Sequence, residues 1–199
     1  QARNNNELAA IFGNFINRVV VLTHKYYEGI VPQPNEFLEV DLQTLNELNA
    51  YPAVISSSIE RYRFREALGE LMNLARLGNK YLADEEPWKM IKTDPERVKT
   101  QMYIALQIAS ALRVLCEPFL PFTAAKLDAI LNQKQHERSW NSISESSDLI
   151  SVGHQIGQGE ILFSQIEDEQ IQKQIDKLEA TKTANEAENK TITPQKELV

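Results

Sequence analysis

Residues 5–26 carry the feature that most restricts the fold, a helical repeat of large apolar side chains. These side chains recur at steps of three and four residues: Leu8, Ile11, Phe12, Phe15, Val19 and Leu22. That spacing places them on one stripe of an α-helix, which must be buried against other elements. Glycine is sparse, with seven in the chain, and the strict alternation typical of strands is rare. The sequence therefore predicts helices packed on one another.

Four further segments are predicted as helices, with approximate limits 41–59, 64–82, 95–116 and a shorter one ending near 131. Pro52 lies inside the second, where we expect a kink or short break. Asp94 and Pro95 suit the cap and first turn of the fourth. Inward-facing side chains predicted on the middle helices include Leu42, Phe64 and Leu68. The predicted fold class is all-α, an antiparallel helix bundle.

The sequence changes character after residue 132. A serine-rich stretch leads into an irregular one, with a short strand predicted around Ile161–Phe163 and a last helix near 167–180. The end of the chain lacks aromatic residues and nearly lacks large apolar ones, which is typical of disorder. We predict a helical bundle over 1–132, an irregular C-terminal extension over 133–180 and a disordered linker over 181–199.

Charge and composition exclude some classes of function. A net charge of −7 argues against bulk, sequence-blind binding of nucleic acid, but it permits recognition of a few unstacked RNA bases. No stretch approaches the roughly 20 apolar residues of a membrane span, and the N-terminus does not resemble a signal peptide. With a single cysteine, we expect a cytoplasmic protein without membrane contact. Because the sequence begins at Gln1, we expect a piece of a longer chain.

The chain lacks recognisable catalytic motifs. Its three histidines (His24, His136 and His154) are far apart in sequence and have no metal-ligand spacing. Cys116 lies in an apolar helical run, as a small core residue would. "GQGE" at 157–160 fits no phosphate-binding loop, and "DEE" at 84–86 is interpreted as a solvated run. We predict no catalytic residue, no metal site and no cofactor in this chain.

Asn14 and Arg18 form a polar pair beside the apolar stripe of the first helix. With a step of about 100° per residue and Phe15 as reference, Asn14 falls at about −100° and Arg18 at about −60°. The two therefore lie next to each other on the edge of the stripe. An amide and a guanidinium side by side can read the edge of a base. An exposed polar pair beside the core is the alternative.

Trp88 follows three acids and a proline. Acids at 84–86 oppose the dipole of a helix C-terminus, so the third helix is predicted to end by about Ala83. Pro87 then fixes the backbone before the tryptophan and opens a short turn. An indole presented in this way would make a stacking platform for a base, whereas composition alone favours a tryptophan folded against the bundle.

Five strings, in order, resemble the C-terminal helical region of bacterial methionyl-tRNA synthetases: "NNELAAIFGNFINR" (5–18), "HKYYEGIVP" (24–32), "NKYLADEEPW" (79–88), "LCEPFLPFTAAKL" (115–127) and "GHQIGQGEILFSQIEDE" (153–169). The resemblance covers roughly residues 3–180. It implies that Asn14, Arg18, Pro87 and Trp88 bind the anticodon. Trp88 would stack on the cytosine of a CAU anticodon, with Asn14 and Arg18 bonding base edges and backbone nearby.

The resemblance also implies partners outside this chain. The partners are the anticodon loop of tRNA(Met), the enzyme's own catalytic domain, and the C-terminal tRNA-binding and dimerising module of some members. Neither the HIGH-like nor the KMSKS-like signature occurs here, so ATP with Mg, and Zn as a further candidate, belong to the catalytic domain. Two alternatives stay open: a helical protein-interaction module, and the anticodon domain of another class I synthetase.

Overall fold

The computed structural model describes residues 1–134, 139–146 and 148–192. A π-helical segment, Asn4–Gly13, continues directly into the first α-helix. The α-helices are α1 (Asn14–Tyr27), α2 (Glu39–Glu60), α3 (Phe64–Glu85), α4 (Pro87–Met90), α5 (Pro95–Leu115), α6 (Pro121–Leu131), α7 (Trp140–Glu145) and α8 (Asp168–Ile192). Within the described residues one isolated bridge, Ile30 to Gln155, is the sole β-type pairing. The all-α prediction is confirmed.

Helix α5 lies at the centre of the bundle. Every residue from 100 to 115 is buried, and α1, α2, α3, α4 and α6 all pack against it. A helix enclosed on all sides is the core of its domain. Its start agrees with the sequence prediction, because the Asp94 side chain accepts a hydrogen bond from the Arg97 N–H at 3.0 Å and Pro95 occupies the first turn.

Helices α1 and α3 approach each other closely at Gly78. A Cβ atom added there would lie 2.4 Å from Cε2 of Phe15, so only a glycine leaves room for the phenyl ring. One residue along α3, Asn79 Nδ2 donates to the Ile11 carbonyl at 2.9 Å, at the end of the π-helical segment. These contacts fix the position of α1 on α3, and with it the side chains that α1 presents at its edge.

The C-terminal extension packs against the bundle over residues 149–166. Val31 N donates to the His154 carbonyl at 2.9 Å, and Gly157 N donates to the Ile130 carbonyl at 2.9 Å. The predicted strand at 161–163 is wrong, because no neighbouring strand pairs with it in the described residues. A side-chain amide holds the backbone just after this segment: Asn5 Nδ2 donates to the Ile166 carbonyl at 3.0 Å, and Asn5 Oδ1 accepts from Ile166 N at 2.8 Å.

Two details of the middle helices differ from the predictions. Helix α2 is continuous through Pro52, which is buried. The three side chains predicted to face inward are exposed instead: Leu42 at 51%, Phe64 at 55% and Leu68 at 37%. Phe64 is the first residue of α3 and packs edge-on against the more exposed ring of Tyr62, with ring centroids 6.3 Å apart. Periodicity alone identified the apolar positions but not which of them the neighbouring helices cover.

Helix α8 extends further than the sequence predicts. It begins at Asp168 and includes residues 181–192, which the sequence assigns to a disordered linker. Its side chains from 172 to 187 are exposed, and pairs four residues apart such as Lys173 with Glu169 support the helix. Residues 193–199 and His136 lie outside the described residues, and the division into bundle, extension and linker stays a prediction. Among the described residues, no helix combines the length and apolar composition that crossing a membrane requires.

The close approach at Gly78 can be tested against a second glycine of the same helix. Gly78→Ala places a methyl group against Phe15, and we expect it to lower the free energy of unfolding by about 1–3 kcal/mol. Gly69→Ala is the matched control, because its added methyl meets no atom within 4 Å and improves helix propensity, for a gain of up to about 1 kcal/mol. Urea unfolding of both variants measures the difference. Equal effects of the two substitutions would contradict the described contact.

Candidate nucleic-acid interface

A sharp turn at Glu86 redirects the chain between α3 and α4. Glu86 has φ 44° and ψ 55°, a left-handed conformation, and its N–H donates to the Leu82 carbonyl at 3.1 Å. Its own carbonyl accepts from Lys89 N at 2.8 Å and from Met90 N at 3.1 Å, which starts α4. Pro87 is the first residue of α4, a position that suits proline because a backbone N–H there would have no partner within the helix. Its side chain is buried. The turn directs Trp88 towards α1.

Each of the three acids before this turn has a cationic partner. Asp84 pairs with Lys80, Glu85 with Arg97 at 2.5 Å, and Glu86 with Lys89 at 2.6 Å. The interpretation of 84–86 as a solvated run is therefore wrong for Glu85, whose side chain is 18% exposed. These pairings also offset the unfavourable helix dipole, so α3 continues to Glu85 rather than ending near Ala83.

Trp88 and Arg18 are in direct contact. The Cζ atom of the Arg18 guanidinium lies 4.8 Å from the centroid of the Trp88 ring, a cation–π geometry. Trp88 is half-buried and packs against the core cluster, so it is neither a fully presented indole nor a fully buried anchor. Arg18 is half-buried as well. Sequence reasoning assigned both residues to one site but gave no contact between them.

Asn14 lies one turn before Arg18 on α1 and is exposed, whereas its neighbours Phe15 and Ile16 are buried. The burial pattern agrees with the helical wheel, which put the polar pair at the edge of the apolar stripe. The structure therefore brings Arg18 to Trp88 and leaves Asn14 at the solvent-facing edge of α1. Arg18 and Trp88, with Asn14 one helical turn away, are here called the Arg18–Trp88 surface, and Pro87 is buried beneath it.

Behind this surface lies a buried charge network that sequence reasoning missed. Arg97 Nη2 donates to Asp41 Oδ1 at 2.8 Å, and Tyr81 OH donates to the same oxygen at 2.7 Å. Leu38 N donates to the second Asp41 oxygen at 2.8 Å. Arg97 Nη1 also donates to Asp41 Oδ2, and Nη2 donates to Glu85 Oε2 as well, so one guanidinium joins α2, α3 and α5. Asp41 itself is fully buried.

The network shifts the pKa values of its members. Burial alone would raise the pKa of Asp41, but the hydrogen bonds from Arg97, Tyr81 and Leu38 outweigh it, and the pKa lies below the usual range. Burial, reinforced by the Asp41 carboxylate, raises the pKa of Tyr81 well above its ordinary value. Asp41 is therefore ionised and Tyr81 protonated at neutral pH. The partners come from positions up to 56 residues apart, so no local pattern in the sequence indicates the network.

Comparison with known proteins identifies the class. A family model described as the anticodon binding domain of methionyl tRNA ligase matches residues 31–183. The chain belongs to this family. The methionine–tRNA ligase of Flavobacterium psychrophilum is 80% identical over 199 residues, and that of Flavobacterium johnsoniae is 67% identical over 224 aligned positions. Both alignments cover 100% of this chain, which spans 29% and 32% of the length of the two relatives.

A solved structure has the same fold. The apo methionyl-tRNA synthetase of Mycobacterium tuberculosis matches with a TM-score of 0.77 at 22% sequence identity. The match covers 83% of this chain and 34% of that protein. At this level of identity the likeness concerns the arrangement of the helices, and it supports the bundle as a fold shared with a synthetase.

The buried network makes a prediction about acid stability. The pKa of Asp41 is lower in the folded than in the unfolded chain, where it is about 4. Ionised Asp41 therefore stabilises the fold fully above the pKa of the unfolded chain, and this stabilisation is lost as the pH falls through the pKa of the folded chain. Asp41→Asn should lower the free energy of unfolding by about 3 kcal/mol at pH 7, because it leaves Arg97 with half of its partners. The difference from wild type should shrink below about pH 4.

Urea unfolding between neutral and acidic pH measures this difference. Asp84→Asn is the control, since Asp84 pairs with Lys80 on the exposed surface of α3, where solvent screens the ion pair and its loss should change stability little at any pH. A difference between wild type and Asp41→Asn that stayed constant with pH would contradict the assignment of Asp41 as an ionised buried group.

Proposed function

We propose that the chain is the anticodon-reading part of a methionine–tRNA ligase and that it selects tRNA(Met) by its CAU anticodon. The observation that supports this most is the cation–π contact between the Arg18 guanidinium and the Trp88 ring, one helical turn from the exposed Asn14. Aromatic rings and arginine planes are the groups on which proteins stack unstacked RNA bases. The family to which the chain belongs is described by anticodon binding.

The chemistry of the Arg18–Trp88 surface suits one or two splayed bases. The indole offers a flat apolar face, and stacking on such a face contributes about 1–3 kcal/mol per base. Arg18 carries five N–H donors and Asn14 carries both a donor and an acceptor, which can bond the edge of a cytosine or the neighbouring backbone. Pro87 sets the direction of Trp88 from behind. Recognition is therefore by shape, stacking and hydrogen bonds.

The pairing of the nearby acids removes an objection to RNA binding. Asp84, Glu85 and Glu86 would repel phosphate if they were free, but each is paired with a lysine or arginine. The local charge at the turn is therefore less negative than the sequence suggests. The net charge of −7 still opposes the RNA as a whole, so we expect the chain by itself to bind a stem-loop weakly.

In the complete ligase, docking of the anticodon would position the acceptor end of the tRNA at a distant catalytic domain for ATP-dependent attachment of methionine. ATP and Mg, with Zn as a further candidate, would belong to that domain. Within the described part of the chain, no group of three His, Cys, Asp or Glu residues could hold a metal ion. The catalytic domain, the C-terminal tRNA-binding and dimerising module and the cytoplasmic location remain expectations.

Trp88 fluorescence and binding test the proposal directly. The chain has two tryptophans, so a Trp140→Phe background leaves Trp88 as the reporter. We expect a stem-loop with the CAU anticodon to quench Trp88 emission, and a loop of the same composition in another order to have little effect. In the unmodified chain, Trp88→Leu should weaken binding of the CAU stem-loop by about 1–3 kcal/mol, because leucine retains apolar packing but offers no ring.

Trp140→Leu, which changes the tryptophan of α7 instead, is the matched control and should leave the affinity unchanged. If Trp88 emission ignored every stem-loop, a helical protein-interaction module would be the better interpretation. Equal quenching by loops with other anticodons would favour a different synthetase specificity and contradict the CAU assignment.

A second prediction concerns the complete ligase. Trp88→Ala should lower the rate of tRNA charging by an amount equivalent to about 1–3 kcal/mol, because the base loses its stacking partner. Formation of methionyl-adenylate from ATP and methionine should be near normal, since that step does not require the anticodon. Charging assays and ATP–pyrophosphate exchange measure the two steps separately. Unchanged charging would show that Trp88 is not part of the tRNA site.

A further inference from the structure

Glu85 is the last residue of α3, and it is held by two side chains of α5. Gln101 Nε2 donates to the Glu85 carbonyl at 3.2 Å and to Glu85 Oε2 at 3.0 Å. Arg97 Nη2 donates to the same carboxylate oxygen at 2.5 Å. Both the main chain and the side chain of residue 85 are thus fastened to the central helix, three residues before Trp88.

Burial of the Gln101 side chain carries a cost in stability. It is fully buried on a helix that is otherwise mostly apolar, and its Oε1 atom has no hydrogen-bond partner in the described residues. A buried polar atom without a partner costs stability, whereas an apolar side chain of similar size often packs there without penalty. The unpartnered Oε1 atom therefore offsets part of the stability that the two bonds to Glu85 provide.

We propose that Gln101 and Arg97 are positioning residues for recognition of the anticodon: by fastening Glu85 they fix the turn at Glu86 and thereby the direction of Trp88. This inference rests on the proposed role of Trp88 in binding RNA. Neither residue need touch the RNA. The turn itself supplies the reason for a fastening, because Glu86 adopts a left-handed conformation before a proline, which the local sequence does not favour.

The two positioning residues differ in a way that makes Gln101 the sharper test. Arg97 also bonds Asp41, so a substitution there damages the buried network between α2 and α5. The side-chain hydrogen bonds of Gln101 in the described residues both go to Glu85. Gln101→Met keeps the volume and removes those bonds together with the unpartnered oxygen.

In the Trp140→Phe background, we expect Gln101→Met to unfold at nearly the same temperature as its parent, because removal of the unpartnered Oε1 offsets the loss of the bonds to Glu85. It should nonetheless shift Trp88 emission and make the indole more accessible to acrylamide. Without the background substitution, Gln101→Met should bind the CAU stem-loop about tenfold more weakly, equivalent to about 1.4 kcal/mol. A merely structural role would lower thermal stability and affinity together, so weaker binding at nearly unchanged stability distinguishes positioning from general support.

Gln107→Met is the matched control. Gln107 is the other buried glutamine of α5, and it bonds the backbone of Leu149 and Ile150 instead of the turn. Its loss should lower thermal stability and leave Trp88 emission and stem-loop affinity unchanged. Should Gln101→Met not fold, Glu85→Gln weakens the same fastening from a side chain at the rim of the bundle, and the same emission and affinity changes are expected.

The possible outcomes separate this inference from the proposed function. Unchanged emission, accessibility and affinity in Gln101→Met, with weakened binding in Trp88→Leu, would overturn the positioning role and leave the proposed function standing. If the wild-type chain bound no CAU stem-loop, the proposed function would fail and the role in recognition with it. The emission measurement would then still decide whether Gln101 holds Trp88 in place.

Discussion

The enclosure of α5 is the constraint on which the rest of the structure depends. Because residues 100–115 are buried on every side, any polar side chain among them must find its partner in a neighbouring element. Those partners are spread around the helix: Thr100 accepts from Asn35 N at 2.9 Å, Gln107 bonds the backbone at 149–150, Ser110 donates to Gln133 at 2.8 Å, and Arg113 pairs with Asp128 of α6. The central helix thus both fills the core and fixes the loops around it.

The Arg18–Trp88 surface is assembled from two directions. Helix α1 carries Arg18, and the contact of the Phe15 ring with Gly78 sets the distance between α1 and α3. The turn after α3 brings Trp88, and α5 fastens that turn through Glu85. The two halves are more than 60 residues apart in sequence, and each is located by contacts inside the bundle. A surface of this kind is rigid because the core is rigid.

Sequence reasoning predicted the helices well and the side-chain partners poorly, for reasons that particular residues make clear. Asp94 and Pro95 start α5 through local chemistry, so that boundary was readable. Phe64 was assigned to the core because periodicity reports apolarity and not coverage. The Asp41–Arg97–Glu85 network was missed because it forms only when three helices pack together. In the sequence alone, Asp41 and Glu85 look like ordinary surface acids. The helical wheel and the proline before Trp88 singled out Asn14, Arg18, Pro87 and Trp88, and the resemblance to a family supplied their ligand. The structure added the contact between Arg18 and Trp88.

The left-handed conformation of Glu86 means that the geometry of the Arg18–Trp88 surface depends on the folded bundle and not on the local sequence. A residue other than glycine costs about 1–3 kcal/mol in such a conformation, and the following Pro87 favours an extended backbone instead. A free peptide of residues 79–92 would relax away from this shape, because nothing in it replaces Arg97 or Gln101. The segment around Trp88 therefore cannot act as a recognition element by itself, because its geometry is a property of the folded bundle. Grafting residues 79–92 onto another scaffold would transfer the sequence but not the conformation.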